Sequence, residues 1–427
     1  MSPIETIYQH YCKAYKVSTD SRKIEKDAVF FALKGENFDA NDFALQVAEA
    51  GVASLVVADR KDLPKHERIL IVDDSLKALQ DLAQYHRQHS KASVLSITGT
   101  NGKTTTKELV SAVLAKKYRI IHTMGNLNNH IGVPLTLLSI QPDTEIAVVE
   151  MGANHPGEID FLCKIAEPDY GLITNIGKAH LEGFGSFEVI IETKTALYRH
   201  VKAHGKAVFV NQGNPLLWEQ SEGMRRISYG RHCGADTPVA PGACNPYLSV
   251  VWKKHLIQTH LVGSYNFENV AAAIGVGQYF EVDEKDIIEA LETYAPTNSR
   301  SQVIDTQKNR IIMDCYNANP TSMRAALINF ASICGEQHLL ILGDMRELGT
   351  ASEEEHRGIL GLMKELGFNE ALLVGSNFCA FNENPDWKSF DKVEELLPYI
   401  ENHPISGKTI LVKGSNSIQL GKVLPLL

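Results

Sequence analysis

SITGTNGKTTTKE, residues 96–108, joins an apolar run, ASVLSIT, to the helical pattern KTTTKELVSAVLAKK. Between them lies Gly99-Thr100-Asn101-Gly102-Lys103-Thr104, followed by Thr105. A glycine-rich turn from strand to helix aims successive backbone N–H groups into one cavity, and the helix N-terminus adds a partial positive charge there. In such a turn Lys103 reaches the outer phosphates of a nucleotide and the Thr104 hydroxyl faces Mg²⁺. The usual phosphate loop has four residues between its first glycine and the Gly-Lys pair. Here only Thr100 and Asn101 intervene, and Ile97 stands where that glycine belongs. The hexapeptide alone therefore fits a nucleotide site and a plain strand-to-helix turn about equally. The strand before it, the helix after it and the three threonines of the first turn favour the nucleotide. Thr100 or Asn101 suits the helix N-cap.

Outward from this turn, VLSIT, IAVVE, GLITN and AVFVN are short, nearly continuous apolar runs, as strands buried on both faces require. Helical patterns separate several of them, which predicts a largely parallel sheet with helices on both sides. Residues 234–263 differ. Their prolines and glycines, then the alternation in YLSVVW and LIQTHLV, predict an antiparallel hairpin added to that sheet. Upstream, DAVFFAL and ASLVVA read as strands, FALQVAEAG as a helix stopped by Gly51, and SLKALQDLAQYHRQHS as a helix at a boundary. Downstream of the turn-rich YAPTNSRSQ (294–302), NRIIMD, HLLILGD, EALLVG and KTILVKG alternate with helical patterns such as SMRAALINFASI. The expected architecture is three α/β domains: 1–89, a central P-loop-type ATPase domain at 90–297, and a Rossmann-like domain at 298–427.

Bulk properties narrow the function. A formal net charge of −9 over 427 residues argues against a general nucleic-acid binder, which needs surplus Lys and Arg to neutralise the phosphate backbone. The seven cysteines are scattered, with no Cys-x-x-Cys, so a disulfide framework or zinc site is not expected. MSPIETIYQHYCKAYK is amphipathic without a long apolar core, and no run reaches the ~18 residues of a membrane span. A cytoplasmic protein with no membrane partner is the expectation.

Three more residues carry chemistry. Glu150 ends EIAVVE and should lie beyond the carboxyl end of a strand, where ligands of parallel sheets gather; a carboxylate there suits Mg²⁺. It equally suits a solvated strand end. His180, after GLITN, should also lie at a strand end, although a lone histidine is more often structural. Lys194 falls on the apolar stripe of the helix FEVIIETKTALYRHV, with Ile190, Ile191, Leu197 and Tyr198 around it. An ammonium there either snorkels along the edge of the stripe or is held in a low-dielectric site, neutral enough to react.

With these residues assembled, the chain resembles the Mur ligase family almost from end to end. The family's phosphate loop reads GTNGKT, so the short spacing is a family variant. The resemblance implies ATP as cofactor, with Gly99, Thr100, Asn101, Gly102, Lys103, Thr104 and Thr105 around its phosphates. It implies two Mg²⁺ ions, with Thr104, Glu150 and His180 as ligands, and a Lys194 carbamylated by CO₂ as a further one. Lys103, Lys194 and His180 become the catalytic set. Asn266 and Asn269, in GSYNFENVAAA, match the Asn-x-x-Asn segment near the adenine. Arg300 matches an arginine that reaches the phosphates, and Asp314 an acid that binds the ribose. YNANP (316–320) and GNLNNHIGVPLT (125–136) resemble the family member that adds D-alanyl-D-alanine to UDP-N-acetylmuramoyl-tripeptide. That gives Asn126, Asn128, Asn129, Tyr316, Asn317 and Asn319 as substrate contacts. DSRKIEKDAVFFALKGENFDANDF resembles the uridine-nucleotide domain, with Ser21 and Arg22 at its binding turn. Ala40 and Asn41 depart from the usual Gly and His, and KGSNS lacks the arginine that often follows KGS. The implied enzyme is a monomeric amide ligase working through an acyl phosphate, with hinge closure near Arg300. A diaminopimelate-adding or folylpolyglutamate-type ligase, or an ATPase that makes no bond, are the alternatives.

Overall fold

Short apolar runs become the strands of three sheets in the computed structural model, which describes residues 2–178, 181–297 and 300–427. The first sheet is all parallel, in the order Val17–Ser18, Val29–Phe31, Leu55–Ala58, Ile69–Ile71. Its middle strands are buried on both faces. Phe30 and Val56 pack on the helix Ala44–Ala50, while Phe31 and Val57 share a core with Leu79 and Leu82 of the helix Ser75–His89. Gly51 closes Ala44–Ala50 at φ +71°, as expected of a left-handed C-cap. The helix Ser75–His89 continues into the core of the next sheet.

Asn41 explains one departure from the family pattern. It is buried and donates to the Ala32 carbonyl (3.3 Å), Asp39 (2.8 Å) and Asp59 (2.9 Å), while its Oδ1 accepts the Asp59 N–H at 3.1 Å. Its amide staples the turn before Ala44–Ala50 to the end of the third strand. Asn41→Ala is expected to lower stability by about 2 kcal/mol, because buried partners are left unpaired. Urea unfolding reads this directly, and an unchanged midpoint would refute it.

The central sheet has nine strands, in the order His255–Val262, Tyr247–Trp252, Thr237–Cys244, Arg226–Gly230, Ala207–Asn211, Tyr170–Ile173, Ser93–Thr98, Ile146–Glu150, Ile120–His122. From Ile120–His122 through to Thr237–Cys244 the pairing is parallel. The expected hairpin is present, with one strand more than its alternation foretold: Thr237–Cys244, drawn from the proline-rich run. Proline lacks a ladder donor. The strand accommodates Pro238 and Pro241 by pairing only two residues with Arg226–Gly230 and by shifting register between Pro241 and Cys244.

The third sheet runs Gln302–Asp305, Arg310–Asp314, Thr409–Lys413, His338–Gly343, Ala371–Val374, Trp387–Phe390; only the first pair is antiparallel. In the register of its parallel core Asp314 lies beside Lys413. The helix Pro320–Ile333 starts at Asn319, whose Oδ1 accepts the Ser322 N–H at 2.9 Å in a capping box.

Candidate active site

Gly99 follows the strand Ser93–Thr98, and the helix Lys103–Leu114 begins four residues later. Gly102 is the N-cap, at φ +79° and with no side-chain cap. The side chains expected to cap are used elsewhere. The Thr100 hydroxyl donates to the Gly177 carbonyl (3.1 Å) and accepts the Gly177 N–H (2.9 Å). The Asn101 N–H donates to Asn175 Oδ1 (3.0 Å), and the Asn101 carbonyl accepts from Thr174 (2.6 Å) and Asn175 (3.0 Å). The segment after the neighbouring strand thus braces the turn, and the first helical N–H groups stay uncapped by side chains. Both glycines are required by space as well as by φ. A Cβ at Gly99 would lie 2.0 Å from the Thr174 hydroxyl, and one at Gly102 would lie 2.5 Å from Asn269 Oδ1.

Lys103 folds back on this turn, donating to the carbonyls of Gly99 (2.9 Å) and Thr100 (3.1 Å). Burial pulls its pKa down; Glu150 opposes that shift and Arg300 adds to it. Thr104 is buried, and its hydroxyl has no partner among the described residues. Glu150, 1% exposed at the end of Ile146–Glu150, accepts from Asn128 Nδ2 on Oε1 (2.8 Å), while its Oε2 has no partner among the described residues. Buried oxygens left unmatched are costly. Here a hydroxyl and a carboxylate oxygen, both hard ligands, are left so on residues lining one cavity.

That cavity, about 1020 Å³, gathers most of the expected site residues. Thr100 to Thr105, Asn126, Asn128, Asn129 and Glu150 line it, as do Asn266 and Asn269. Arg300, Asp314, Tyr316, Asn317 and Asn319 complete it from the third sheet's side. Asn269 lies over the turn: Thr106 donates to its Oδ1 (3.0 Å), and its Nδ2 donates to Asn266 Oδ1 (2.8 Å). The Arg300 guanidinium stacks 3.7 Å from the Tyr316 ring centre. Asn319 Nδ2 donates to Asn101 Oδ1 at 2.7 Å, joining the third unit to the turn.

Lys194 lies beneath the turn rather than in the cavity lining. It sits on the helix Phe187–His204, is 2% exposed, and donates to the Gly99 carbonyl at 3.2 Å. Burial, reinforced by the charge of Lys103, lowers its pKa to about 7. An unfolded lysine titrates near ~10.4, so between these values the unfolded chain holds a proton the folded one lacks. The stability contribution of the neutral amine is full above the unfolded value and is lost as pH falls toward about 7. In CO₂-free buffer the unfolding free energy of Lys194→Met should gain on the parent by on the order of 4 kcal/mol over that window. A pH-independent difference would contradict the buried, neutral amine.

Ser21 and Arg22 do not line the cavity. They lie in the first unit, where exposed Arg22 forks onto Asp20 (2.9 and 3.0 Å). His180 lies outside the described residues. Comparison with known proteins decides what such a site belongs to. Residues 13–87 match the model described as Mur ligase family, catalytic domain; 97–277 match the Mur ligase middle domain; 299–416 match the Mur ligase, glutamate ligase domain. A Bacillus subtilis protein named UDP-N-acetylmuramoyl-tripeptide–D-alanyl-D-alanine ligase is 36% identical over 96% of this chain and 92% of its own. The chain belongs to the Mur ligase family. Among solved structures, MurF from Acinetobacter baumannii aligns with TM-score 0.85 at 32% identity, over 96% of this chain and 92% of that one. MurF ligase from Thermotoga maritima in complex with ADP aligns with TM-score 0.85 at 26% identity, over 100% and 98%.

Two groups of this Mur ligase's site escaped the sequence reading. Thr174 and Asn175 brace the turn at residues 99–104, and only their place after a buried strand hinted at it. Lys413 is buried, lines the cavity, and pairs with Asp314 at 2.5 Å. A charge ending the apolar run TILVK was its signal.

Proposed function

We infer that this chain uses ATP to join D-alanyl-D-alanine to UDP-N-acetylmuramoyl-tripeptide, giving the pentapeptide precursor of peptidoglycan, ADP and phosphate. The observation that carries the reading is the convergence of the GTNGKT turn, the unmatched Thr104 and Glu150 oxygens, the Asn126–Asn129 loop and the Tyr316–Asn319 segment on one cavity. The relatives named for this reaction, matched over nearly their whole length, support it.

A carboxylate is a poor electrophile, so the tripeptide's terminal carboxylate first takes the γ-phosphoryl group of ATP and releases ADP. The dipeptide amine then attacks the acyl carbon, and phosphate leaves as the amine gives up a proton. In this chain the uncapped N–H groups of Lys103–Leu114 hold the phosphates, and Lys103 turns from the Gly99 carbonyl to neutralise the transferring group. Asn266 and Asn269 hold the base, Asp314 the ribose, and Arg300 the phosphates. Asn126, Asn128, Asn129, Tyr316, Asn317 and Asn319 contact the peptide substrates, and Ser21 and Arg22 the uridine end. Thr104, Glu150 and His180 would hold Mg²⁺, which lowers the charge on the phosphates. Among the described residues no three His, Cys, Asp or Glu side chains form a cage; Mg²⁺ at such a site takes further ligands from phosphate and water. Lys194, as a neutral amine, adds CO₂ and loses a proton to become a carbamate, which would supply an anionic oxygen to a second Mg²⁺.

The reading includes a monomeric, cytoplasmic enzyme. All seven cysteines are free, and among the described residues no helix is long and apolar enough to cross a membrane. Phosphate release from ATP with UDP-N-acetylmuramoyl-tripeptide should rise at least tenfold when D-alanyl-D-alanine is added. Release supported equally by ATP alone, or by diaminopimelate or glutamate in place of the dipeptide, would overturn the assignment.

A further inference from the structure

Lys107 follows Lys103 by one helical turn, and the mechanism leaves it unused. It is wholly enclosed, at 0% exposure. An enclosed ammonium is costly unless its donors are met. Here it donates to the Thr123 carbonyl at 2.6 Å and pairs with Glu108 at 2.8 Å. Thr123 heads the loop that carries Asn126, Asn128 and Asn129. Its hydroxyl accepts the Glu150 N–H at 2.9 Å and lies 3.4 Å from the Thr136 hydroxyl. Further along the loop, Asn128 donates its Nδ2 to Glu150 Oε1 and accepts the Gly152 N–H on its carbonyl, both at 2.8 Å. One loop therefore fixes Glu150 by backbone and by side chain, and Lys107 ties the head of that loop to the phosphate helix.

We propose that Lys107 is a positioning residue: by clamping the Thr123 carbonyl it sets, through the Thr123 hydroxyl and Asn128, the direction in which Glu150 offers its free oxygen to the cation accompanying the nucleotide. Through that loop Lys107 reaches Glu150 by hydrogen bonds, so the effect falls on cation binding rather than on the phosphate contacts of the turn. This rests on reading Glu150 as a ligand to that cation.

Calorimetric titration of ADP, with Mg²⁺ and with EDTA, tests it without turnover. In the parent, Mg²⁺ should tighten ADP binding, and Glu150→Gln should lose that gain. Absence of a gain in the parent, or its survival in Glu150→Gln, would remove the reading of Glu150 itself. With that reading intact, Lys107→Met should lose roughly tenfold in Mg²⁺-supported affinity, the lower end of what outer-sphere partners contribute, while its affinity in EDTA stays within twofold. Equal weakening in both buffers, or parent-like binding in both, would overturn the proposal. If Lys107→Met fails to fold by circular dichroism, Thr123→Val and Thr123→Ser decide. Loss of the gain in the valine variant alone upholds the proposal, and identical behaviour of the two overturns it.

Discussion

Replacing Lys103 with alanine will reduce ligation by roughly a thousandfold, the scale of removing one preorganised charge from a developing anion, and will leave the fold intact. Among the described residues the side chain bonds only the Gly99 and Thr100 carbonyls of its own turn. The turn itself is held from outside, by Thr174, Asn175 and Gly177. Removing the ammonium therefore takes away the mobile charge and keeps the cradle. Burial also weakens its hold on the proton, so the alanine variant sheds a charge the folded state tolerates poorly. The parent and variant should unfold within a few degrees of each other while phosphate release collapses. Activity within tenfold of the parent would refute the phosphate role of Lys103.

Lys194→Ala is expected to lose activity on a similar scale, and for a different reason. The parent amine is buried beneath the turn and held near neutrality, the form that reacts with CO₂. Alanine leaves a void where the carbamate would stand, large enough to admit a small anion. Acetate or formate at high concentration should restore part of the lost rate, with the short acids acting better than bulky ones, and chloride at equal ionic strength should restore none. Rescue by chloride would make the effect one of ionic strength. No rescue by any acid, together with a parent lacking a carbamate signal after incubation with ¹³C-bicarbonate, would refute the modified lysine.

Much of this molecule could be read from its residues, for reasons that differ by element. The parallel strands were legible because strands buried on both faces must be apolar throughout, as Val148 and Phe209 are. Thr237–Cys244 was not, because proline argues against a strand and only its partners allow it. The strand-to-helix turn at residues 99–104 was legible through its glycines and the apolar run before it. The fate of Thr100 and Asn101 was not, since the Thr100 hydroxyl answers to Gly177, beyond another strand, and the Asn101 side chain to Asn319 of the third unit. Lys194 declared itself by standing on an apolar stripe. Lys413 and Asp314 each ended an apolar run, but their pairing depends on a register that joins residues 99 positions apart. Periodicity carries no such information.

The amide of Asn319 faces two ways: it starts a fourteen-residue helix with its oxygen and touches Asn101 with its nitrogen. Further along the same helix Asn329 Oδ1 accepts the Ser264 N–H at 3.3 Å, so Pro320–Ile333 is pinned at two points to the unit that carries the Asn101 turn, and parting the two units means breaking both ties.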